Sequence, residues 1–217
     1  LEERAELKER LGLNDPFIIQ FYRFVRDASV GEFGLSYQHR RPVKELIAER
    51  LPATLELALV SAILALAIGI PMGVYTALKR YGFLSRTFMT ISLVGVSLPT
   101  FLIGILLILF FGVILRWLPT FGRGDVVEIG WWTSGFLTAS GLKSLIMPSI
   151  TLALFQMTLI MRLVRAEMLE VLRADFIKFA RARGLPTRAV HFRHALKNTL
   201  VPVITITGLQ LGSIICL

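Results

Sequence analysis

Polar and apolar residues in this chain are sorted into blocks rather than interleaved. Four stretches carry almost no charge: Leu57–Leu78, Thr87–Leu115, Ser144–Met161 and Thr199–Leu217. A helix rises about 1.5 Å per residue, so about 20 residues cross a hydrocarbon core of about 30 Å. Backbone amides in lipid must pair within their own segment, which favours helices over open strands. The blocks therefore predict an all-α polytopic membrane protein, with spans over about 54–78, 87–115, 144–165 and 199–217.

The blocks are punctuated. Gly69-Ile70-Pro71-Met72-Gly73 interrupts the first and Ser97-Leu98-Pro99-Thr100 the second, while Pro148 opens the third and Pro202 falls early in the fourth. Proline deletes a helix hydrogen bond and bends the chain. Gly69, Gly73, Gly95 and Gly104 permit close helix approach. The second block has 29 residues. Fully helical, it would measure about 43 Å, so it must tilt or break.

Residues 1–51 read as an external helical segment ahead of a membrane domain at 52–217. Leu7 and Leu11 share a helical face that Gly12 can end. Asn14-Asp15-Pro16 is a helix start with Asp15 as cap, and Phe17, Phe21 and Phe24 then form a stripe. Gly31–Tyr37 reads as a loop and Pro42–Arg50 as a short charged helix leading to Pro52. The chain begins at Leu1 and stops inside an apolar run, as a piece of a longer protein would.

Charge sets the orientation. The net +9 is uneven: residues 1–50 hold nine basic and nine acidic residues, 79–86 add +3, 116–143 add +1 and 162–197 add +6, with Glu56 subtracting one. Lys and Arg favour cytoplasmic loops, so 79–86 and 162–198 face the cytoplasm and 116–143 lies outside with 1–50. Trp117, Trp131 and Trp132 suit an interfacial aromatic belt. Because the positive charge clusters beside spans, a pI near 10.3 indicates membrane lipid rather than nucleic acid as a neighbour.

Several chemistries are missing from the sequence. No GxxxxGK[ST] loop is present, and Gly141-Leu142-Lys143-Ser144 lacks the upstream glycine, so the chain holds no nucleotide site of its own. HExxH and GxSxG are absent, and the lone Cys216 allows no internal disulfide. His191 and His194 share a face without a third ligand, so no metal or other cofactor is expected. No ionisable residue lies mid-span, which disfavours an ion-coupled carrier. A substrate path would use neutral polar groups, drawn from Ser92, Ser97, Thr100, Ser149, Thr151, Gln156, Thr205, Thr207 and Gln210.

The most informative segment is the basic loop 166–198. Leu169, Leu172, Phe176 and Phe179 form a stripe, and a helix over Arg173–Arg183 ends at Gly184 with Pro186 after it. Thr187 can cap a second helix, Arg188–Asn198. The result is a helix–turn–helix at the membrane face. It offers Phe176, Phe179 and Ala180 to a partner's groove, flanked by Arg181, Arg183, Arg188 and Arg193.

This segment resembles the EAA loop of binding-protein-dependent ABC importer permeases. Ala180 and Gly184 match that motif's second Ala and its Gly, and Leu196 falls at its closing Leu. Lys178 and Lys197 depart from its Glu and terminal Pro. ARARGL…RHALKNTLVP, together with RPVKELIAERLPATLELAL (41–59) and LGLNDPFIIQFYRF (11–24), is similar to the dipeptide/oligopeptide/nickel branch, and to the first permease of its pairs. The resemblance implies a bacterial inner-membrane subunit with one further span on each side of this piece. Its implied partners are a second homologous permease, two ABC ATPase subunits and an external solute-binding protein. ATPase coupling would then fall to the loop, at Asp175, Phe176, Phe179, Ala180, Arg181, Ala182, Gly184, Arg188, His194 and Leu196. The segment 1–50 would help receive the binding protein. The alternatives are an ion-coupled secondary carrier and a non-transporting scaffold or sensor whose basic loop binds a partner.

Overall fold

The computed structural model describes residues 15–36 and 38–215, in two units divided between Pro52 and Ala53. The helix expected around Leu7 and Leu11, its stop at Gly12, and Cys216 lie outside the described residues.

In the first unit, α1 is Phe17–Ser29. Asp15 does not cap it. Pro16 stands before the first turn, no side chain caps the end, and the Asp15 carboxylate instead takes Arg23 Nη2 at 2.7 Å. Gly31, at φ +81°, closes the C-terminus, with Glu32 N donating to Asp27 O and Gly31 N to Ala28 O. That is the paired bonding of a Schellman ending.

α2 is Val43–Leu78, 36 residues long. The charged helix expected over Pro42–Arg50 is thus not a separate element, because α2 continues through Pro52 and Pro71. Each proline deletes one ladder bond; Leu51, Ala53 and Glu56 are strong helix formers beside Pro52, and at Pro71 the packing of Gly69 and Gly73 against Ile160 and Val164 holds the helix in place.

The second unit contains the remaining elements. Its second block is broken, one of the two outcomes its length allowed. α3 (Phe83–Ser97) stops at Leu98-Pro99, where Pro99 is extended at φ −59°, ψ 135°, and α4 (Thr100–Leu107) starts anew. A π-helical turn over Ile108–Ile114 continues α4. α5 spans Ala139–Val171. It starts earlier than Ser144 because Thr138 Oγ1 accepts from Gly141 N at 3.0 Å, an N-cap that the sequence pattern hides. Pro148 lies inside α5 rather than at its start. Among the described residues, α2 and α5 are long and apolar enough to cross a bilayer unbroken.

α5 is the hub, packing against α3, α4 and the last helix, α8 (Leu196–Ile215). The predicted glycines make its seams. A Cβ at Gly73 would lie 2.6 Å from Val164 Cβ, and one at Gly69 would lie 3.0 Å from Ile160 Cγ2. At Gly95 and Gly104 the nearest atoms are Thr158 Oγ1 and Thr151 Cγ2, at 3.3 and 3.6 Å. Ala65, Val74, Ala77, Ile160 and Val164 form the buried centre.

The outer loop holds a feature the sequence pattern did not indicate. β1 (Val127–Ile129) and β2 (Trp132–Ser134) pair antiparallel around Gly130, whose φ is +64°. Positive φ at a central turn position is what a two-residue hairpin needs.

Candidate coupling surface and translocation path

The basic loop is a rigid elbow. α5 ends at Val171, a turn covers 172–174, and α6 runs Asp175–Ala182. The expected stripe Leu169–Leu172–Phe176–Phe179 is therefore split across two helices, with Leu169 and Leu172 packed on the core. Residues 166–171 of the expected loop are helical and continuous with α5. Gly184 ends α6 at φ +76°, and Leu185 N donates to Ala180 O while Gly184 N donates to Arg181 O. The left-handed conformation there is open to glycine at little cost.

The second helix of the loop is not separate from the last span. α7 (Thr187–Ala189) passes through a π-helical stretch, Val190–Ala195, directly into α8. Thr187 is the first helical residue rather than a cap, and Pro186 precedes it with no side-chain bond. Its φ of −64° already suits a helix entry.

One side of the elbow is locked down. Ile177, Ala180, Val190 and Ala195 are buried in one cluster with Met168 and Val203, and Leu196 packs against it. Thr199 Oγ1 donates to Ala195 O at 3.0 Å and to Met168 Sδ at 3.6 Å. Ala180 is therefore an anchor and is not available to a partner: its small side chain lets α6 sit close on the core.

The other side is open. Phe176, Phe179, Leu185 and Phe192 are exposed. Around them Arg181, Ala182, Arg183, Arg188 and Arg193 are solvent-facing, and His194 is half-buried. Arg183 lies over the Phe179 ring at 5.6 Å, and Asp175 holds Lys178 at 2.8 Å. Phe192 and Leu185 were missed in the sequence because charged neighbours surround one and a turn holds the other. His191, beside this surface, has its pKa lowered, first by burial and then by the Arg181 charge.

The predicted path residues do not gather round one cavity. Ser97 and Thr100 flank the Pro99 break and are exposed, as is Thr205. Ser149 and Gln156 are buried on α5, and Ser149 Oγ, Gln156 Oε1 and Gln210 Oε1 have no hydrogen-bond partner among the described residues. Ser92 and Thr207 are buried with their hydroxyls bonded to Met89 O and Val203 O. A cavity of about 460 Å³ lies between α2, α4, α5 and residues 119–122, and of the predicted set it takes in only Thr151.

A polar lock closes the outer end of the unit. Glu56 is 2% exposed, and its carboxylate accepts Gly135 N at 3.2 Å and Arg123 Nη2 at 2.9 Å. Arg123 also donates to the Thr133 hydroxyl at 2.8 Å and the Thr133 carbonyl at 2.6 Å. One buried carboxylate thus fastens the hairpin to α2.

A helical unit with two bilayer-length apolar helices among the described residues and a basic elbow with exposed aromatic rings is the build of a membrane component. The chain belongs to the family described as binding-protein-dependent transport system inner membrane component, whose pattern matches residues 69–216. It is 37% identical over 223 residues to the dipeptide transport system permease protein DppB of Alkalihalophilus pseudofirmus, covering 97% of this chain and 67% of that one. It is 40% identical over 214 residues to the oligopeptide transport system permease protein AppB of Bacillus subtilis, covering 98% and 66%. With the di/tripeptide transport system permease protein DppB of Pseudomonas aeruginosa it shares 39% identity over 223 residues, covering 97% and 66%. The chain spans about two thirds of the length of these curated relatives.

Proposed function

We propose that this chain is the greater part of a permease subunit of an ATP-driven importer for di- or oligopeptides. It forms the passage with a second, homologous permease and is driven by two ABC ATPase subunits. An external solute-binding protein delivers the substrate, and specificity rests largely with that protein. The observation that carries this reading is the two-sided elbow. Ile177 and Ala180 fix α6 to the ends of α5 and α8, while Phe176 and Phe179 stand free among arginines.

Such an element transmits force because its two sides do different work. The exposed rings enter a groove on the ATPase, and arginines contact its rim. The buried side passes the displacement to α5, which packs on α3, α4 and α8. The passage is lined by neutral groups, with Ser97 and Thr100 at the break and Thr205 and Gln210 along α8, while Gln156 is buried on α5.

The test is ATPase activity of the reconstituted complex, with binding protein and dipeptide. Stimulation by loaded binding protein in the wild type, lost in Phe179→Ala while the complex still assembles, is the expected result. Equal stimulation in the variant would overturn the coupling role. Absence of any stimulation by the loaded binding protein would overturn the importer reading.

A further inference from the structure

We infer that α1 is an interfacial anchor, lying flat on the bilayer surface with its aromatic side among the lipid acyl chains. The inference rests on the family's membrane placement and is independent of the peptide reading. At about 100° per residue, Phe17, Ile18, Phe21, Tyr22, Phe24 and Val25 fall within one arc of about 160°. That side faces outward: Phe17 is 80% exposed, Ile18 78% and Tyr22 69%. On the polar side Gln20, Arg23 and Asp27 are half-buried and Arg26 is exposed. Leaving this aromatic arc bare costs free energy in water, because about 25 cal/mol is lost for each Å² of apolar surface left exposed. An outward aromatic arc is the expected arrangement for a helix whose outer side is in lipid.

The bilayer is the occupant for two reasons. Only residues 30–42, thirteen in all, separate α1 from α2, one of the two helices able to cross a membrane. Thirteen residues reach at most about 45 Å, so the tether allows α1 to reach the surface of the bilayer that α2 enters. The charges of α1 are also already satisfied: Arg23 pairs with Asp15 at 2.7 Å and Arg26 with Asp27 at 2.9 Å. No charged group in the arc is left for a protein partner to read. The attachment is therefore apolar, and it should not depend on anionic lipid.

The experiment uses the full-length permease in its complex, with Cys216→Ser and one new cysteine, reconstituted in phosphatidylcholine nanodiscs. A nitrobenzoxadiazole label at Ile18→Cys reports the apolar side, and one at Arg26→Cys the polar side. The label at 18 is expected to emit in the blue and to be quenched by lipids brominated on their acyl chains. The label at 26 stays water-like, and neither changes when phosphatidylglycerol is added. Water-like emission at 18 without bromolipid quenching would overturn the inference. A blue shift at 18 that appears only with the solute-binding protein, again unquenched by bromolipid, would also overturn it and give the face to that protein.

Discussion

Gly73→Ala tests the central seam of the fold. The new methyl would sit 2.6 Å from Val164 Cβ and 2.8 Å from both Val164 Cγ1 and the Met161 carbonyl oxygen. Carbon atoms in contact settle at about 3.5–4.0 Å, so α2 and α5 must part by about 1 Å. Overpacking costs about 1–3 kcal/mol. The upper part of that range applies, because two of the opposing atoms are a backbone oxygen and a Cβ, neither of which a rotamer change can move. Gly69→Ala meets its neighbours at 3.0–3.2 Å, chiefly the Ile160 side chain, and should cost about 1 kcal/mol. Thermal unfolding of the purified permease in a fixed detergent should rank wild type above Gly69→Ala above Gly73→Ala. Adding Val164→Ala to Gly73→Ala removes the Cγ1 contact and leaves the Cβ contact, so recovery is partial. A Gly73→Ala protein that melts with the wild type, or a Gly69→Ala protein that is the worse of the two, would refute this account of the seam.

Other substitutions probe the lock, the elbow and its turn. Glu56→Ala leaves Arg123 without its carboxylate and should cost about 3 kcal/mol, near the low end for buried pairs because Arg123 is 26% exposed; limited proteolysis of the 127–134 hairpin reads the loosening. Ile177→Ala, at a fully buried site, should lower stability by about 2–5 kcal/mol, while Phe179→Ala leaves the melting temperature unchanged and reduces only ATPase stimulation. Gly184→Ala should cost about 1–2 kcal/mol although no atom lies within 4 Å of the new Cβ, since the whole penalty comes from φ +76°, and Gly184→Asn should cost less, both read from melting curves. His191 has a lowered folded-state pKa, so the unfolded chain binds the proton more readily. Its stability contribution is thus intact above the unfolded value of about 6.5 and declines as pH falls through it toward the folded pKa, and His191→Gln should flatten that slope in a pH series of melting curves.

Much of this architecture is legible in the residues because length and proline placement act locally. A 29-residue apolar block with Pro99 near its middle had to tilt or break, and it breaks at Leu98-Pro99. Pro52, Pro71 and Pro148 read the same way but sit inside continuous helices, because a single lost bond does not outweigh neighbours that favour the helix. Gly69 and Gly73 are legible as contact points, although which helix they meet is not, since that depends on residues about ninety positions away. In the elbow, Phe176 and Phe179 could be recognised as outward anchors, but Ala180 could not be sorted to the inner side: three apolar residues within five positions fit either side of a short helix. The lock of Glu56 on Arg123 and Gly135 was invisible because its members are far apart in sequence and part of it acts through backbone groups.

The break between α3 and α4 has a consequence for what the passage contains. It falls about fifteen residues from the basic connector at 79–82, about 22 Å along a straight helix and so within a hydrocarbon core of about 30 Å. The last carbonyls of a helix lack donors within it, and Pro99 has no amide to offer the end of α3. Hydrocarbon cannot solvate them. Water, a neighbouring chain or the cargo itself must do so. Where water does so, hydration within the membrane is a property of the main chain, and a passage hydrated in this way can accept solutes of varied side-chain character without a charged residue to attract them.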